Sequence, residues 1–281
     1  LQVNTTCKVR GDEVGAARWV DDAREHYLGL LERKNPGLSL GGLRIVVDAA
    51  HGATSRTTPV LLRRLGADVI EMNTGEDGRL INKDCGSTHP AAVSARVLAE
   101  GADLGIAHDG DGDRVIMVDH VGRRVSGDIM LFILATGLAG EQRLAGNTVV
   151  GTVLTNLGLE RALERYGIRL ERTDVGDRYI LDRLHDGGFI LGGEESGHII
   201  NLYQNVTGDG LATTLMVLSY LRRSGHRLAD ILDSVELYPQ IAENVRVKDR
   251  QIVSCPTFLN AVAAARAKLG DAARLVVRPS G

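Results

Sequence analysis

The chain has 281 residues, of which 43% are hydrophobic and 25% charged, a composition typical of a globular protein with two or three domains. A formal net charge of −3 and an aromatic content of 4% argue against a nucleic-acid partner. Cys7, Cys85 and Cys255 form no CxxC pair, which argues against disulfides or a zinc site and favours a cytoplasmic location. The most apolar stretch, residues 129–138, is shorter than the roughly 20 residues that cross a bilayer, so we expect no membrane segment.

Strand and helix patterns alternate along the first part of the chain. Apolar residues at helical spacing predict a helix at 16–31, and a continuous apolar run predicts a buried strand at 43–48. The further elements predicted here are a helix at 59–65, a strand at 67–71, a helix at 90–100, strands at 103–107 and 114–119, and a turn at 121–124. The β-loop-α-β order at the start of this block implies parallel strands.

The pattern begins again near residue 127 and once more near residue 238. The second block is predicted to hold a helix at 129–138, a strand at 148–153, a helix at 158–166, strands at 168–173 and 188–191 around a helix at 179–184, a strand at 199–202 and a helix at 209–223. The third is predicted to hold strands at 241–247 and 275–277 around a helix at 256–269. The sequence thus predicts an α/β protein with two tandem mixed α/β sheet domains, 16–124 and 125–237, and an incomplete α+β domain, 238–281.

Three carboxylates lie on alternate residues between two apolar strands of the first block. They are Asp109, Asp111 and Asp113, and glycines separate them. Alternate side chains of an extended or turning chain point the same way, and three carboxylates favour a hard cation, so we predict a Mg²⁺ site, with Mn²⁺ as a second choice. A solvated acidic turn is the alternative. A calcium EF-hand is excluded, because Arg114 and His120 stand where such a loop requires Gly and Glu.

Arg114 directly follows this cluster. A guanidinium beside a cation repels it unless an anion bridges the two, which predicts a phosphoryl group between the metal and Arg114. The alternative is that Arg114 simply partners the surplus carboxylate charge.

Six motifs, taken together and in order, resemble those of the α-D-phosphohexomutase family. They are Gly86-Ser-Thr-His-Pro90, the segment 107–119 with the three aspartates, Val175-Gly-Asp-Arg-Tyr179, Gly193-Glu-Glu-Ser-Gly-His198, Thr207-Gly-Asp-Gly210 and Arg278-Pro-Ser-Gly281. The resemblance covers the chain from about residue 15 to its last residue. It implies an isomerase and phosphoprotein of carbohydrate metabolism, which exchanges a phosphate between two positions of a hexose through a phosphoserine and a bisphosphate intermediate.

The resemblance also implies roles for individual residues. Asp109, Asp111 and Asp113 correspond to the Mg²⁺ ligands, and Arg114 lies beside the phosphoserine as a catalytic residue. The substrate-binding residues would be Glu194 and Ser196, which match groups that hydrogen-bond neighbouring sugar hydroxyls, with His198, Asp177 and Arg178, and Arg278, Ser280 and Gly281 of a loop that grips the phosphate. The expected partner is a hexose phosphate. The particular residues of these motifs favour an amino sugar phosphate, glucosamine phosphate, as the substrate. A glucose or mannose phosphate is left open as the substrate, and a homodimer is left open as the assembly.

The 281 residues contain no segment like Thr-Ala-Ser-His-Asn-Pro, the loop that carries the phosphorylated serine in this family. We therefore expect residues 1–15 to be a linker or the tail of a missing N-terminal domain, and the chain to comprise two central domains and part of the last. A non-catalytic sugar-phosphate-binding protein is the alternative from another class. A metal-dependent phosphatase is the weakest alternative, since no nucleophile or general base is visible.

A polypeptide of these 281 residues is expected to show no mutase turnover, because phosphoryl transfer needs a donor phosphate. The measurement is a coupled assay with glucosamine 6-phosphate, Mg²⁺ and a hexose bisphosphate activator. Turnover above that of a blank without the polypeptide would contradict the expectation.

Overall fold

The computed structural model describes residues 15–75, 77–270 and 273–278, with only the backbone of Arg250. In chain order, its helices and strands are α1 (Ala23–Lys34), β1 (Arg44–Asp48), α2 (Thr58–Arg64), β2 (Asp68–Met72), α3 (Ala91–Glu100), β3 (Leu104–His108), β4 (Val115–Asp119), β5 (Arg124–Val125), α4 (Gly127–Gly140), β6 (Thr148–Thr152), α5 (Leu157–Glu164), β7 (Arg169–Thr173), α6 (Asp177–Gly187), β8 (Leu191–Gly193), β9 (Ile199–Asn201), α7 (Gly210–Ser224), α8 (Leu228–Ser234) and α9 (Pro256–Leu269). None of these helices is long and apolar enough to span a membrane.

The first sheet has the strand order β2-β1-β3-β4-β5. Strand β1 pairs in parallel with β2 and β3, whereas β4 runs antiparallel to both β3 and β5. Both faces of β1 are buried, because Ile45 and Val47 pack with Leu61 of α2 while Val46 packs with Val93 of α3. A strand covered on both faces needs a continuous apolar run, which explains the pattern in the sequence.

The second sheet has the order β7-β6-β8-β9, with β6 parallel to β7 and β8 and with β9 antiparallel to β8. Helix α6 covers one face through Ile180 and Leu184, which pack with Val150 of β6. Helices α4 and α5 pack against the second sheet as well, through β8 and β7 respectively. The predicted mixed α/β architecture is therefore confirmed.

Helix α4 is apolar on almost every side, and each residue from Gly127 to Ala135 is buried. It contacts β8 of the second sheet and packs on α7 and α8, which in turn contact β4 of the first sheet. One hydrophobic cluster accordingly includes Met117 of β4, Ile129 of α4 and Leu191 of β8. A helix that is hydrophobic all round is stable only inside such a core.

Asn156, which precedes α5, holds the segment that follows α8 through hydrogen bonds to the backbone of Tyr238. Its side-chain amide donates to Tyr238 O at 2.8 Å, and its Oδ1 accepts from Tyr238 N at 2.9 Å. The backbone N–H of Asn156 donates at 2.8 Å to Asp128, whose carboxyl is buried at the start of α4. Burial raises the pKa of Asp128 to about 6.

Several predicted elements differ from those observed. The helix expected at 16–31 begins at Ala23, and the preceding Trp19 is 89% exposed. Within the described part of the chain, 241–247 and 275–277 form no strand; Ile241, which is 90% exposed, lies on no core that would support one. Helix α8, which we did not predict, is short, and its start is capped by Asp230, which accepts from Arg227 N at 2.7 Å. The boundaries at 124/125 and 237/238 stay predictions.

Substitution of Gly105 by alanine is expected to lower the free energy of unfolding by about 1–3 kcal/mol, because overpacking forces α3 away from the sheet. A Cβ at Gly105 would lie 2.4 Å from Val93 Cγ1 and 2.9 Å from Val97 Cγ2. The control is Gly140→Ala, at the end of α4, where a Cβ meets no atom within 4 Å. Its expected effect is zero or a gain of up to about 1 kcal/mol from helix propensity. Urea unfolding followed by circular dichroism measures both, and equal stabilities of the two variants would refute the close packing at Gly105.

Candidate metal centre and adjoining loop

The three aspartates lie in the loop that connects β3 to the antiparallel β4. The turn after β1 holds this loop from one side, where Ala53 N donates to Gly110 O at 2.9 Å. Gly52 permits this approach, since a Cβ there would lie 2.1 Å from the Gly110 oxygen. Because β1 and β3 are parallel, their carboxyl ends meet at this edge, where open α/β sheets bind ligands.

The carboxylates of Asp109, Asp111 and Asp113 offer ligand atoms that all lie within 4.8 Å of one another. Asp109 is buried, Asp113 is half-buried and Asp111 is exposed, so the cluster opens to solvent on one side. The Oδ2 atom of Asp109 is buried, and it lies 2.6 Å from the positively charged guanidinium of Arg114. Three carboxylates with no sulfur ligand among them suit a hard cation that prefers oxygen ligands. The predicted clustering of the three carboxylates is confirmed, and the identity of a bound cation stays a prediction.

Arg114 lies against this cluster. Its Nε is 2.6 Å from Asp109 Oδ2 and 3.4 Å from Asp113 Oδ1, and its side chain is 38% exposed. Burial lowers the pKa of the guanidinium, but the charges of Asp109 and Asp113 oppose that effect and leave the pKa above its ordinary value. The structure therefore pairs Arg114 with carboxylate charge, and the bridging phosphate stays a prediction.

The 193–198 loop, which connects β8 to β9, lies directly against β4 of the other sheet. Val115 N donates to Gly197 O at 3.2 Å, and a Cβ at Gly197 would lie 1.9 Å from Val115 O. On the same loop, His198 Nδ1 lies 3.0 Å from Asp113 Oδ2. The metal loop and the 193–198 loop, far apart in sequence, thus form one surface.

Four further residues predicted to bind the substrate lie on the 193–198 loop or at the start of α6. Glu194 Oε1 accepts from Gly176 N at 3.0 Å, which joins the 193–198 loop to the start of α6. Asp177 and Arg178 follow there and are exposed. Ser196 Oγ is buried and has no hydrogen-bond partner.

The predicted phosphate-gripping loop is only partly described. Arg278 is exposed, whereas Ser280 and Gly281 lie outside the described residues. Their grouping with the rest of the site stays a prediction.

Two buried residues that support the metal loop were not singled out from the sequence. Asp48 ends β1, and its two oxygens accept from Ala50 N at 2.8 Å and Gly86 N at 2.9 Å. The sequence feature that could have indicated Asp48 is its position as an acidic residue at the end of an apolar strand. His108 packs behind the loop with Nε2 at 3.0 Å from Thr58 Oγ1, and burial lowers the pKa of His108 to about 4. Its ring is therefore neutral at pH 7; no sequence pattern indicated the contact with Thr58.

Two family models match this chain. The model described as phosphoglucomutase/phosphomannomutase, alpha/beta/alpha domain II, matches residues 20–122. The model for alpha/beta/alpha domain III of the same proteins matches residues 126–238.

The chain is also similar to bacterial proteins named phosphoglucosamine mutase. It is 45% identical to the one from Rhodococcus jostii over 272 residues, which are 96% of this chain and 61% of the relative. It is 47% identical to the one from Desulforudis audaxviator, covering 96% of this chain and 60% of the relative. The one from Halorhodospira halophila is 46% identical, with 100% of this chain and 62% of the relative covered. The chain thus spans less than two thirds of the length of these curated relatives.

Solved structures show the same fold. A phosphoglucomutase/phosphomannomutase family protein from Burkholderia thailandensis superposes with a TM-score of 0.66 at 27% identity, covering 75% of this chain and 46% of that one. The N-acetylphosphoglucosamine mutase of Aspergillus fumigatus, in complex with GlcNAc-6P and magnesium, gives a TM-score of 0.70 at 19% identity, covering 87% of this chain and 61% of that one. The two matched domains and the level of identity show that the chain belongs to the phosphoglucomutase/phosphomannomutase family, the α-D-phosphohexomutases.

Proposed function

We propose that this protein is a phosphoglucosamine mutase, an isomerase that interconverts glucosamine 6-phosphate and glucosamine 1-phosphate. The observation that carries the proposal is the contact between the loop of three carboxylates and the 193–198 loop, at 3.0 Å between Asp113 and His198. A cation site and a set of sugar-binding groups on one surface suit phosphoryl transfer on a sugar phosphate. The relatives named phosphoglucosamine mutase support the choice of an amino sugar.

The residues present fit Mg²⁺. Asp109, Asp111 and Asp113 would hold the ion, since they supply only oxygen ligands and these lie within 4.8 Å of one another. When bound, Mg²⁺ would offset the negative charge of a transferring phosphoryl group. The complex of the Aspergillus fumigatus relative contains magnesium, which is consistent with this choice.

Arg114 would bind the oxygens of the transferring phosphoryl group. Its guanidinium carries a raised pKa and so stays charged, and its partial exposure leaves it within reach of a ligand. Charge-assisted hydrogen bonds from Arg to phosphate are strong and can be bidentate, so a phosphate can replace the present contact with Asp109.

Glu194 and Ser196 would bind neighbouring hydroxyls of the sugar. One oxygen of Glu194 accepts from Gly176 N, and a carboxylate has capacity for several more hydrogen bonds. Ser196 Oγ, buried without a partner, would gain one from the substrate. Asp177, Arg178 and His198 would lie around the sugar, and Arg278, Ser280 and Gly281 would bind its phosphate.

The chemistry is proposed for the whole protein. The phosphoserine donor of the family is not among these 281 residues, so this chain would supply the ligands of the cation, the groups that bind the sugar, and Arg114. A phosphoglucomutase or phosphomannomutase is the second candidate, favoured by the description of the matching family models.

Calorimetric titration of the chain with MgCl₂ is expected to show weak binding that Asp111→Asn reduces by roughly tenfold or more, about 1.4 kcal/mol per factor of ten. Asp111 is exposed, so the substitution should leave the fold intact. The matched control is Asp84→Asn, which removes the same charge from an exposed position on a neighbouring loop. Equal Mg²⁺ affinities of the two variants would rule out the aspartate cluster as the site.

The full-length protein is expected to have a higher kcat/KM on glucosamine 6-phosphate than on glucose 6-phosphate or mannose 6-phosphate. Glu194→Gln should lower kcat/KM about tenfold to hundredfold, since a hydrogen bond to a charged group contributes roughly 1.5–3 kcal/mol. The control is Glu195→Gln, the same substitution at the next residue. Glu195 Oε1 lies 2.6 Å from Arg124 Nη1, and Glu195 has no proposed role in binding the sugar. A higher kcat/KM on either 2-hydroxy sugar would favour the second candidate instead.

A further inference from the structure

Arg274, which follows α9 in the chain, attaches the C-terminal segment to the second sheet. Its Nη2 atom donates to Val153 O and, at 2.9 Å, to Thr155 O. Both carbonyl oxygens belong to the turn that connects β6 to α5, which we call the 153–156 turn. An arginine side chain keeps its positive charge at neutral pH, so both hydrogen bonds are charge-assisted and stronger than those between neutral groups.

The same turn also holds the start of the C-terminal segment. Gln240 Nε2 donates to Leu154 O at 3.0 Å, and the side chain of Asn156 pairs with both backbone groups of Tyr238. The C-terminal segment is therefore attached to this turn twice, once at its start and again after α9. A unit attached at one place can pivot about that place, whereas a second attachment restricts the pivot.

The turn is itself held in a fixed position relative to the 193–198 loop, because the start of α4 binds both. Asn156 N donates to Asp128 Oδ2 at 2.8 Å, and Gly127 N donates to Glu195 O at 3.0 Å. The strands that lead into the turn and the loop, β6 and β8, are also parallel neighbours in the second sheet. Whatever is attached to the turn is thus placed relative to the proposed sugar-binding groups.

Arg278, the first residue of the proposed phosphate-binding loop, follows Arg274 by four residues. Four residues of fully extended chain span at most about 14 Å, so the attachment of Arg274 limits where Arg278 can lie. Glu194 and Ser196 are proposed to bind hydroxyls of the same sugar whose phosphate Arg278 would bind. The separation between these groups therefore decides how well one hexose phosphate can bind to all of them at once.

We propose that Arg274 is a positioning residue for Arg278, which acts through the carbonyl oxygens of the 153–156 turn and not by contact with the substrate. The inference rests on the proposed function and on the proposed role of Arg278. With Arg274 attached, Arg278 is held at the distance from the sugar-binding groups that a hexose phosphate requires. Without the attachment, part of the binding energy of the substrate would be used to order the C-terminal segment.

Two substitutions at residue 274 separate the hydrogen bonds from the bulk of the side chain. Arg274→Met keeps an unbranched aliphatic chain and removes every donor, whereas Arg274→Lys keeps an ammonium with three donors. Because a single nitrogen of Arg274 serves both carbonyl oxygens, an ammonium can take its place. The control is Arg266→Met on α9, where the side chain is exposed and donates to Leu275 O within the C-terminal segment.

The measurement is kcat/KM of the full-length protein, on whichever of glucosamine, glucose and mannose 6-phosphate gives the highest value. Arg274→Met should lower kcat/KM about tenfold to hundredfold, the loss expected for hydrogen bonds from a charged group. Arg274→Lys should stay within about threefold of the unsubstituted protein, and Arg266→Met within about twofold. Thermal unfolding of each variant shows that it is folded.

A double-mutant cycle shows whether Arg274 acts through Arg278. Arg278→Met alone should lower kcat/KM about hundredfold, since it removes the charged group that binds the phosphate. In that background Arg274→Met should lower kcat/KM further by less than about threefold, because the residue that it positions is gone. A general loss of stability or of folded protein would instead lower kcat/KM by the same factor in both backgrounds.

Equal factors for Arg274→Met in the two backgrounds would overturn the inference and leave the proposed function in place. The same holds if Arg274→Met or Arg278→Met has no effect by itself, or if Arg274→Lys is as impaired as Arg274→Met. If the unsubstituted full-length protein turns over none of the three hexose 6-phosphates, the proposed function fails, and this inference fails with it.

Discussion

The arrangement of this site depends on bringing three carboxylates to within 4.8 Å of one another. Like charges at this separation repel each other, and burial of Asp109 adds a desolvation cost. The surroundings offset that cost in three ways. Arg114 supplies a positive charge, His198 donates to Asp113, and Arg114 N donates to Asp109 Oδ1 at 3.1 Å. The loop conformation is thus maintained by groups from both sheets.

The close approach of neighbouring segments explains why glycine occurs at two positions around the metal loop. At Gly52 and Gly197 the neighbouring backbone comes so close that any Cβ would overlap a carbonyl oxygen. Such contacts place the turn after β1, the metal loop and the 193–198 loop against one another without side chains between them. A larger residue at either position would separate the loops and with them the charges.

Much of the architecture was predictable from the sequence, because continuous apolar strands and helices ended by glycine follow from local chemistry. The aspartate cluster was equally predictable, since its three acidic residues lie close together in the chain, between Asp109 and Asp113. The contact between His198 and Asp113 was not, because it joins residues 85 positions apart. The strand expected at 241–247 shows the opposite failure: its residues have strand-like composition, but an isolated strand has no partner to satisfy its backbone groups.

Helix α4 has a consequence for motion. Because its buried faces belong to a hydrophobic cluster that spans both sheets, the two units share one interior instead of meeting across a wet cleft. Relative movement of the sheets would expose or repack that interior, whereas hinge motions in proteins occur where few apolar contacts must break. The metal loop and the 193–198 loop therefore form a preorganised surface with a fixed separation. A substrate that needs closure would have to obtain it from other parts of the molecule.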